Sequence, residues 1–234
     1  MLAAVVVALG AVLAFHPDPS LVGLREQLGW HQDRPGTPVN ASTTGAHRFL
    51  QLQYDGRTPV AYNPCKPIAI VVHGVPPEGG ELVIEEGIAA VSDATGLTFD
   101  YRGVTRREAT WSFGRRRSGP VVLAWTTAAE VPDLAGDIAG VAGSVVEERS
   151  GVRWYATGDV ALDLDTFTPL LRDHGTAGHA AARAVVMHEL AHLVGLGHVE
   201  DPRELMHAEN SGLLGFGPGD LEGLAALGRG SCVG

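Results

Sequence analysis

Apolar residues along this chain fall into blocks whose spacing changes from one block to the next. Pro67 to His73 is a β-branched apolar run closed by Gly74, Pro76 and Pro77, which predicts a buried strand. Leu82 to Ala94 sets Leu82, Val83, Ile84, Ile88, Val91 and Ala94 at spacings that suit one side of a helix, and Gly96 supplies its stop. Leu97 to Tyr101 and Val121 to Thr126 predict two more strands, and Tyr155 to Leu164, with alternating Val160, Leu162 and Leu164, a further one. Leu134 to Val146 is glycine-rich and fits neither period. Ala180 to Leu193 is the clearest helix, rich in alanine and free of internal glycine or proline. Ala181, Val185 and Leu193 share its apolar face, while Val186, Leu190 and Val194 extend burial around the cylinder, so it is expected to cross the core beneath a sheet. Pro218 to Leu227 predicts the last helix, with proline in its first turn, Asp220 and Glu222 toward its N-terminal end and Gly228 as a stop.

The N-terminal part reads differently. Leu2 to Phe15 is an unbroken apolar run, the length of a signal-peptide core and short of the roughly 20 residues that span a bilayer comfortably. Residues 1–16 are therefore expected to be a signal peptide or a short membrane anchor, with a buried N-terminal strand or helix as the alternative. No positively charged residue precedes the run apart from the terminus itself. Residues 17–59 mix Pro, Gly, Ser, Thr and His, with a short helical stretch over Leu21 to Leu28 and a strand-like alternation over Phe49 to Tyr54. This region is expected to be a stalk or pro-segment able to pack on the domain surface. Residues 60–234 then form the main domain.

Composition narrows the classes. The 234 residues are 45% hydrophobic and 19% charged, a globular balance that fits one core and a modest extension. The formal net charge of −10 repels phosphate backbones, which argues against a nucleic-acid partner. The one basic cluster, Arg106, Arg107, Arg115, Arg116 and Arg117, reads as a solvated loop. Two cysteines, Cys65 and Cys232, are too few for a four-thiolate metal site but enough for one disulfide in an exported chain, with two unrelated thiols as the alternative.

The chemistry is concentrated in His188-Glu189-Leu190-Ala191-His192, inside the clearest helix. Residues four apart on a helix stand one above the other, so His188 and His192 present two imidazoles to one point about 2 Å from a metal. Glu189 lies beside them, placed to act on water and not to bind the metal. His198 follows six residues after His192, and a straight helix would carry it away. Gly195 supplies a position where the chain bends back without a side-chain clash. Three imidazoles leave one coordination position for water, the arrangement of a catalytic zinc site. The full HExxHxxGxxH string is a strong signal of such a site.

This string, with Asp201-Pro202 and Leu205-Met206 after it, resembles the catalytic motif and Met-turn of the matrixin branch of the metzincins, and is especially similar to short matrixin-like proteases of actinobacteria. Val91 to Phe99 and Phe216 to Leu224 resemble the family's first helix entering its second strand and the start of its final helix. The resemblance covers about residues 61–230. It implies an α+β catalytic domain: a twisted, mostly parallel sheet with an antiparallel edge strand along the substrate cleft, backing helices, an active-site helix and a small C-terminal subdomain. It also implies that His188, His192 and His198 bind one zinc ion, that Glu189 is the general base, and that Met206 lies beneath the histidines as a hydrophobic floor. The expected activity is hydrolysis of internal peptide bonds in extracellular proteins or peptides, by a monomer that is secreted or held at the cell surface by its N-terminus.

Departures from the family pattern set limits. His207-Ala208-Glu209 stands where the family carries Pro-x-Tyr, so the wall of that specificity pocket does not transfer. Asp173, His174 and His179 read as surface polar residues and not as a second zinc site. Calcium stays open, with no local motif marking a site, and no cysteine-switch motif occurs in the N-terminal region.

Overall fold

The computed structural model describes residues 34–41, 44–105, 119–209 and 211–233. The apolar segment 1–16, the helical stretch over Leu21 to Leu28 and the arginine cluster lie outside them. The described chain is a mixed α+β fold with a five-stranded, mostly parallel sheet and four α-helices.

The strands are β1 (Arg48–Phe49), β2 (Ile68–His73), β3 (Phe99–Thr105), β4 (Val121–Thr126), β5 (Gly140–Arg149), β6 (Val152–Asp163) and β7 (Leu196–Gly197). The helices are α1 (Gly80–Thr95), α2 (Leu164–Asp173), α3 (Gly175–Val194) and α4 (Pro218–Leu227). The sheet runs β3-β2-β4-β6-β5, parallel until its last pair. β4 is buried along its whole length, as a continuous apolar run in the middle of a parallel sheet must be. β5 pairs antiparallel with β6 and ends the sheet. The glycine-rich stretch without a clear period thus supplies the antiparallel edge strand, whose glycines and small side chains weaken any alternation.

Burial follows the apolar spacing. Val83, Ile84 and Val91 of α1 and Val186, Leu190, Leu193 and Val194 of α3 join Ile70, Val72, Leu123, Val160 and Leu162 of the sheet in one core. Gly87 lets α1 approach α3, since a Cβ there would stand 2.6 Å from Val186 Cγ1. α1 ends on Gly96 in the left-handed conformation (φ 68°), its N–H donating to the Ser92 carbonyl.

Two readings need correction. Leu164 does not end a strand but opens α2. Asp163 caps that helix, its carboxylate accepting from the Thr166 N–H at 2.9 Å and the Thr166 hydroxyl at 2.7 Å. α3 also starts five residues before Ala180: Gly175 opens it with a positive φ of 54°, and Gly178 follows where the Leu170 carbonyl of α2 leaves no room for a Cβ.

The stretch before Val60 is laced onto the domain. The Val39 N–H donates to the Ala94 carbonyl at 3.1 Å, and Arg34 reaches the Gly228 and Gly230 carbonyls. β1 pairs antiparallel with β7, and the Leu50 N–H donates to the Gly195 carbonyl at 2.9 Å. The expected strand over Phe49 to Tyr54 is limited to β1 and a single bridge from Leu52 to Pro59. A disulfide joins Cys65, just before β2, to Cys232 in the C-terminal tail, with Cα atoms 5.4 Å apart across 167 residues of sequence. Among the described residues, no helix is long and apolar enough to cross a membrane.

Candidate metal centre

α3 carries His188, Glu189 and His192 through the core and stops at Gly195, whose φ of 120° belongs to the region that favours glycine. The Gly195 N–H closes the helix on the carbonyls of Ala191 at 3.1 Å and His192 at 3.0 Å. A Cβ at Gly195 would also meet the Tyr155 ring at 2.9 Å, so this residue is required for both its conformation and its close packing. β7 follows at once and turns the chain back, which brings His198 to the helix.

The three imidazoles converge. His198 Nε2 lies 3.1 Å from His188 Nε2 and 3.0 Å from His192 Nε2. The edge of a tetrahedral site with Zn–N bonds of about 2.0 Å is about 3.3 Å, a few tenths of an ångström longer. Among the described residues this is the one group of three metal-ligating side chains close enough to hold an ion.

Their other nitrogens determine the tautomer. His188 Nδ1 lies 2.8 Å from the Leu205 carbonyl and His192 Nδ1 2.7 Å from the Leu196 carbonyl. A carbonyl only accepts, so each Nδ1 carries the proton and each Nε2 turns a lone pair to the centre. One proton on His198 cannot satisfy both facing lone pairs, whereas a cation between them does. Burial also pushes the His188 imidazole down to about 4 and that of His192 to about 3, which keeps both neutral at physiological pH. Neutral, pre-aimed imidazoles suit a divalent metal, and the Leu205 and Leu196 carbonyls fix their rings as such sites require.

Glu189 is buried beside this centre, and burial pushes its carboxyl up to about 8. Its Oε2 has no hydrogen-bond partner among the described residues. Gly140, the first residue of edge strand β5, lies against it: a Cβ there would stand 2.7 Å from Glu189 Cγ and 3.1 Å from Oε1. A buried carboxyl with one orphaned oxygen, next to three convergent imidazoles, fits a group that acts on something placed between it and a metal.

The stretch from Val199 to His207 closes on itself through the Val199 N–H to the Met206 carbonyl at 3.0 Å. Met206 is fully buried, in the core cluster that includes Leu190 and Leu193. Two buried carboxylates hold this turn against α4. Asp220 accepts from the backbone N–H groups of Leu205 at 2.5 Å, Met206 at 3.3 Å and Gly217 at 2.9 Å. Glu204 accepts from the N–H groups of Gly219 at 2.9 Å and Asp220 at 3.1 Å, at the N-terminus of α4. Burial pushes Asp220 up to about 6, while its backbone donors pull it down. The Leu205 carbonyl that orients His188 is therefore fixed by Asp220.

The sequence pattern of α4 marked Asp220 as a helix-terminal acid, but not as the anchor of this turn. Gly140 was hidden in the stretch without a period. Asp173 and His179 are engaged elsewhere: Asp173 pairs with Arg172 at 2.6 Å and His179 Nε2 lies 2.9 Å from Glu86.

No family model and no curated protein matches this sequence. Among solved structures, a chain of the GM1-bound form of the ECX AB5 holotoxin is similar over 79% of this chain and 89% of that one, at 11% identity and a TM-score of 0.47. A likeness this loose carries no argument about function, so the reading below rests on the chain's own residues.

Proposed function

We propose that this chain is a zinc-dependent endopeptidase of the metzincin type, similar to matrixins, that works outside the cytoplasm. The observation that carries the proposal is the convergence of three Nε2 lone pairs beside a buried carboxyl with a free oxygen. His188, His192 and His198 would hold the ion, and Met206 would serve as the apolar floor. When bound, zinc supplies Lewis-acid polarisation of a carbonyl and lowers the pKa of water.

The remaining work belongs to the protein. β5 ends the sheet, so its outer edge offers backbone donors and acceptors to an extended peptide added as a further strand. That strand begins at Gly140, against Glu189, so a peptide paired with β5 passes the carboxyl. Glu189 accepts a proton from the attacking water and returns it to the departing amine, two transfers suited to a carboxyl whose pKa burial has raised. A divalent cation held by the three histidines would lower that pKa and so favour the ionised, basic form of Glu189. The Cys65–Cys232 disulfide supports an oxidising, extracellular setting, with residues 1–16 as signal or anchor.

The test is chelation and reconstitution. Protein stripped of metal should leave an unfolded protein substrate intact, and one equivalent of zinc should restore cuts at internal bonds, identified by mass spectrometry. Trimming confined to the substrate's termini, or no cutting with zinc bound, would remove the endopeptidase reading.

A further inference from the structure

The strand that precedes the domain does more than brace it. β1 pairs with β7 in the register Arg48↔Gly197, which sets Arg48 next to the residue before the third histidine. Gly197 has no side chain, and the Arg48 guanidinium lies across the space this leaves: a Cβ on Gly197 would meet Arg48 Nε at 3.1 Å and Nη2 at 3.4 Å. Gly197 is thus a shelf on which the guanidinium rests. Arg48 is exposed, as is His198, and its guanidinium forms no hydrogen bond or ion pair among the described residues.

A cation is unfavourable beside a divalent metal, and on a chain of net charge −10 there is no shortage of carboxylates that could neutralise it. None does so among the described residues. An arginine held in this way, with planar N–H donors open to solvent, suits a carboxylate that arrives from outside.

We propose that Arg48 is a specificity residue: seated on Gly197 beside the third histidine, its guanidinium receives a carboxylate of the peptide substrate, an acidic side chain close to the cut bond. The assignment rests on the endopeptidase reading. It also makes β1 part of the working domain, so that any processing of residues 17–59 would have to spare Arg48.

The experiment uses fluorogenic peptides that differ only in carrying Glu, Gln or Lys at each position near the cut. For the zinc-loaded full chain, one position should favour Glu by about tenfold in KM, the size of one charge-assisted hydrogen bond at a partly exposed site, and the gap should not lie in kcat. Arg48→Gln should close that gap and Arg48→Glu should turn the preference toward Lys, with zinc content and melting temperature preserved, because the pairing of β1 is made by backbone. The same peptides, bound to zinc-loaded Glu189→Ala and followed by fluorescence anisotropy, give a second readout whose Glu preference should weaken as salt is raised. Equal KM for Glu and Gln peptides, or a gap that persists in Arg48→Gln, overturns the proposal. Arg48-dependent binding of acidic peptides by a wild-type chain that cuts none of them would keep the Arg48 site and remove the endopeptidase reading.

Discussion

Glu189 packs against Gly140, and each constrains the other. Glu189→Ala removes the proposed base but leaves the three imidazoles and their carbonyl partners in place, so zinc binding should survive. Gly140→Val would force a branched side chain into a space where even a Cβ stands 2.7 Å from Glu189 Cγ. We expect that variant to bind zinc stoichiometrically and to lose roughly 10²-fold or more in kcat, as for displacement of a general base. Unchanged kcat would show that the contact is incidental. The HExxH spacing made His188, Glu189 and His192 legible from sequence, because helical geometry alone aligns them. Gly140 and Arg48 were not legible, because each reaches the site by strand pairing across long sequence separation, and no local pattern records that.

Titration of the same residues has a defined sign. In chelator-treated protein, His188 and His192 lie at about 4 and about 3, below the unfolded imidazole value near 6.5. Their contribution to stability is therefore present above about pH 6.5 and lost as pH falls toward 4. Glu189, raised to about 8, acts in the opposite sense, with its contribution complete below about pH 4.5 and lost as pH rises through 8. Thermal unfolding of the chelated chain should thus show acid and alkaline limbs. His192→Gln should flatten the first and Glu189→Gln the second. Limbs unchanged in these variants would assign the titration to other groups.

At the scale of elements, the site depends on how α3 ends and how the following turn is held. Gly195 was legible as the bend because His198 had to return to the helix. The anchoring of the turn was less so: a carboxylate in the first turn of α4 looks like ordinary dipole compensation until its three backbone donors are seen. Asp220→Ala should strand those buried N–H groups and cost about 1–3 kcal/mol. It should also weaken zinc binding, because the Leu205 carbonyl that orients His188 loses its support. Stability and zinc affinity measured together test this, and loss of stability with zinc affinity intact would uncouple the turn from the site. α2 was missed because an apolar strand pattern runs into it without a break, and only the side chain of Asp163 marks the change. The edge strand β5 was left unassigned because its glycines and small residues erase the alternation that identifies a strand.

At the scale of the whole molecule, the described segments before Val60 and after α4 bond across the domain. The Cys65–Cys232 bridge ties the entry to β2 to the C-terminal tail, and the Asn63 side chain beside it reaches the Val233 carbonyl. The double substitution Cys65→Ser, Cys232→Ser should lower stability by about 2–4 kcal/mol. For a domain of this size that corresponds to a fall in melting temperature of roughly 4–16 °C. A fall of under 2 °C would mean that the loop is already closed by packing. The residues before Val60 contribute in the same way, since Arg34, Val39, β1 and Leu50 each bond to a different part of the domain. Composition alone gave that stretch the character of a stalk, because polar and glycine-rich segments look alike whether they hang free or bind a surface.

The most direct test of the central claim is a mixed-sequence peptide library exposed to zinc-loaded wild-type protein and, in parallel, to Glu189→Ala with its zinc content measured. The account predicts one zinc per chain in both proteins, internal cleavage by the wild type, and a loss of roughly 10²- to 10⁴-fold in the variant. Zinc bound by both with cleavage by neither, or equal cleavage by both, would contradict it.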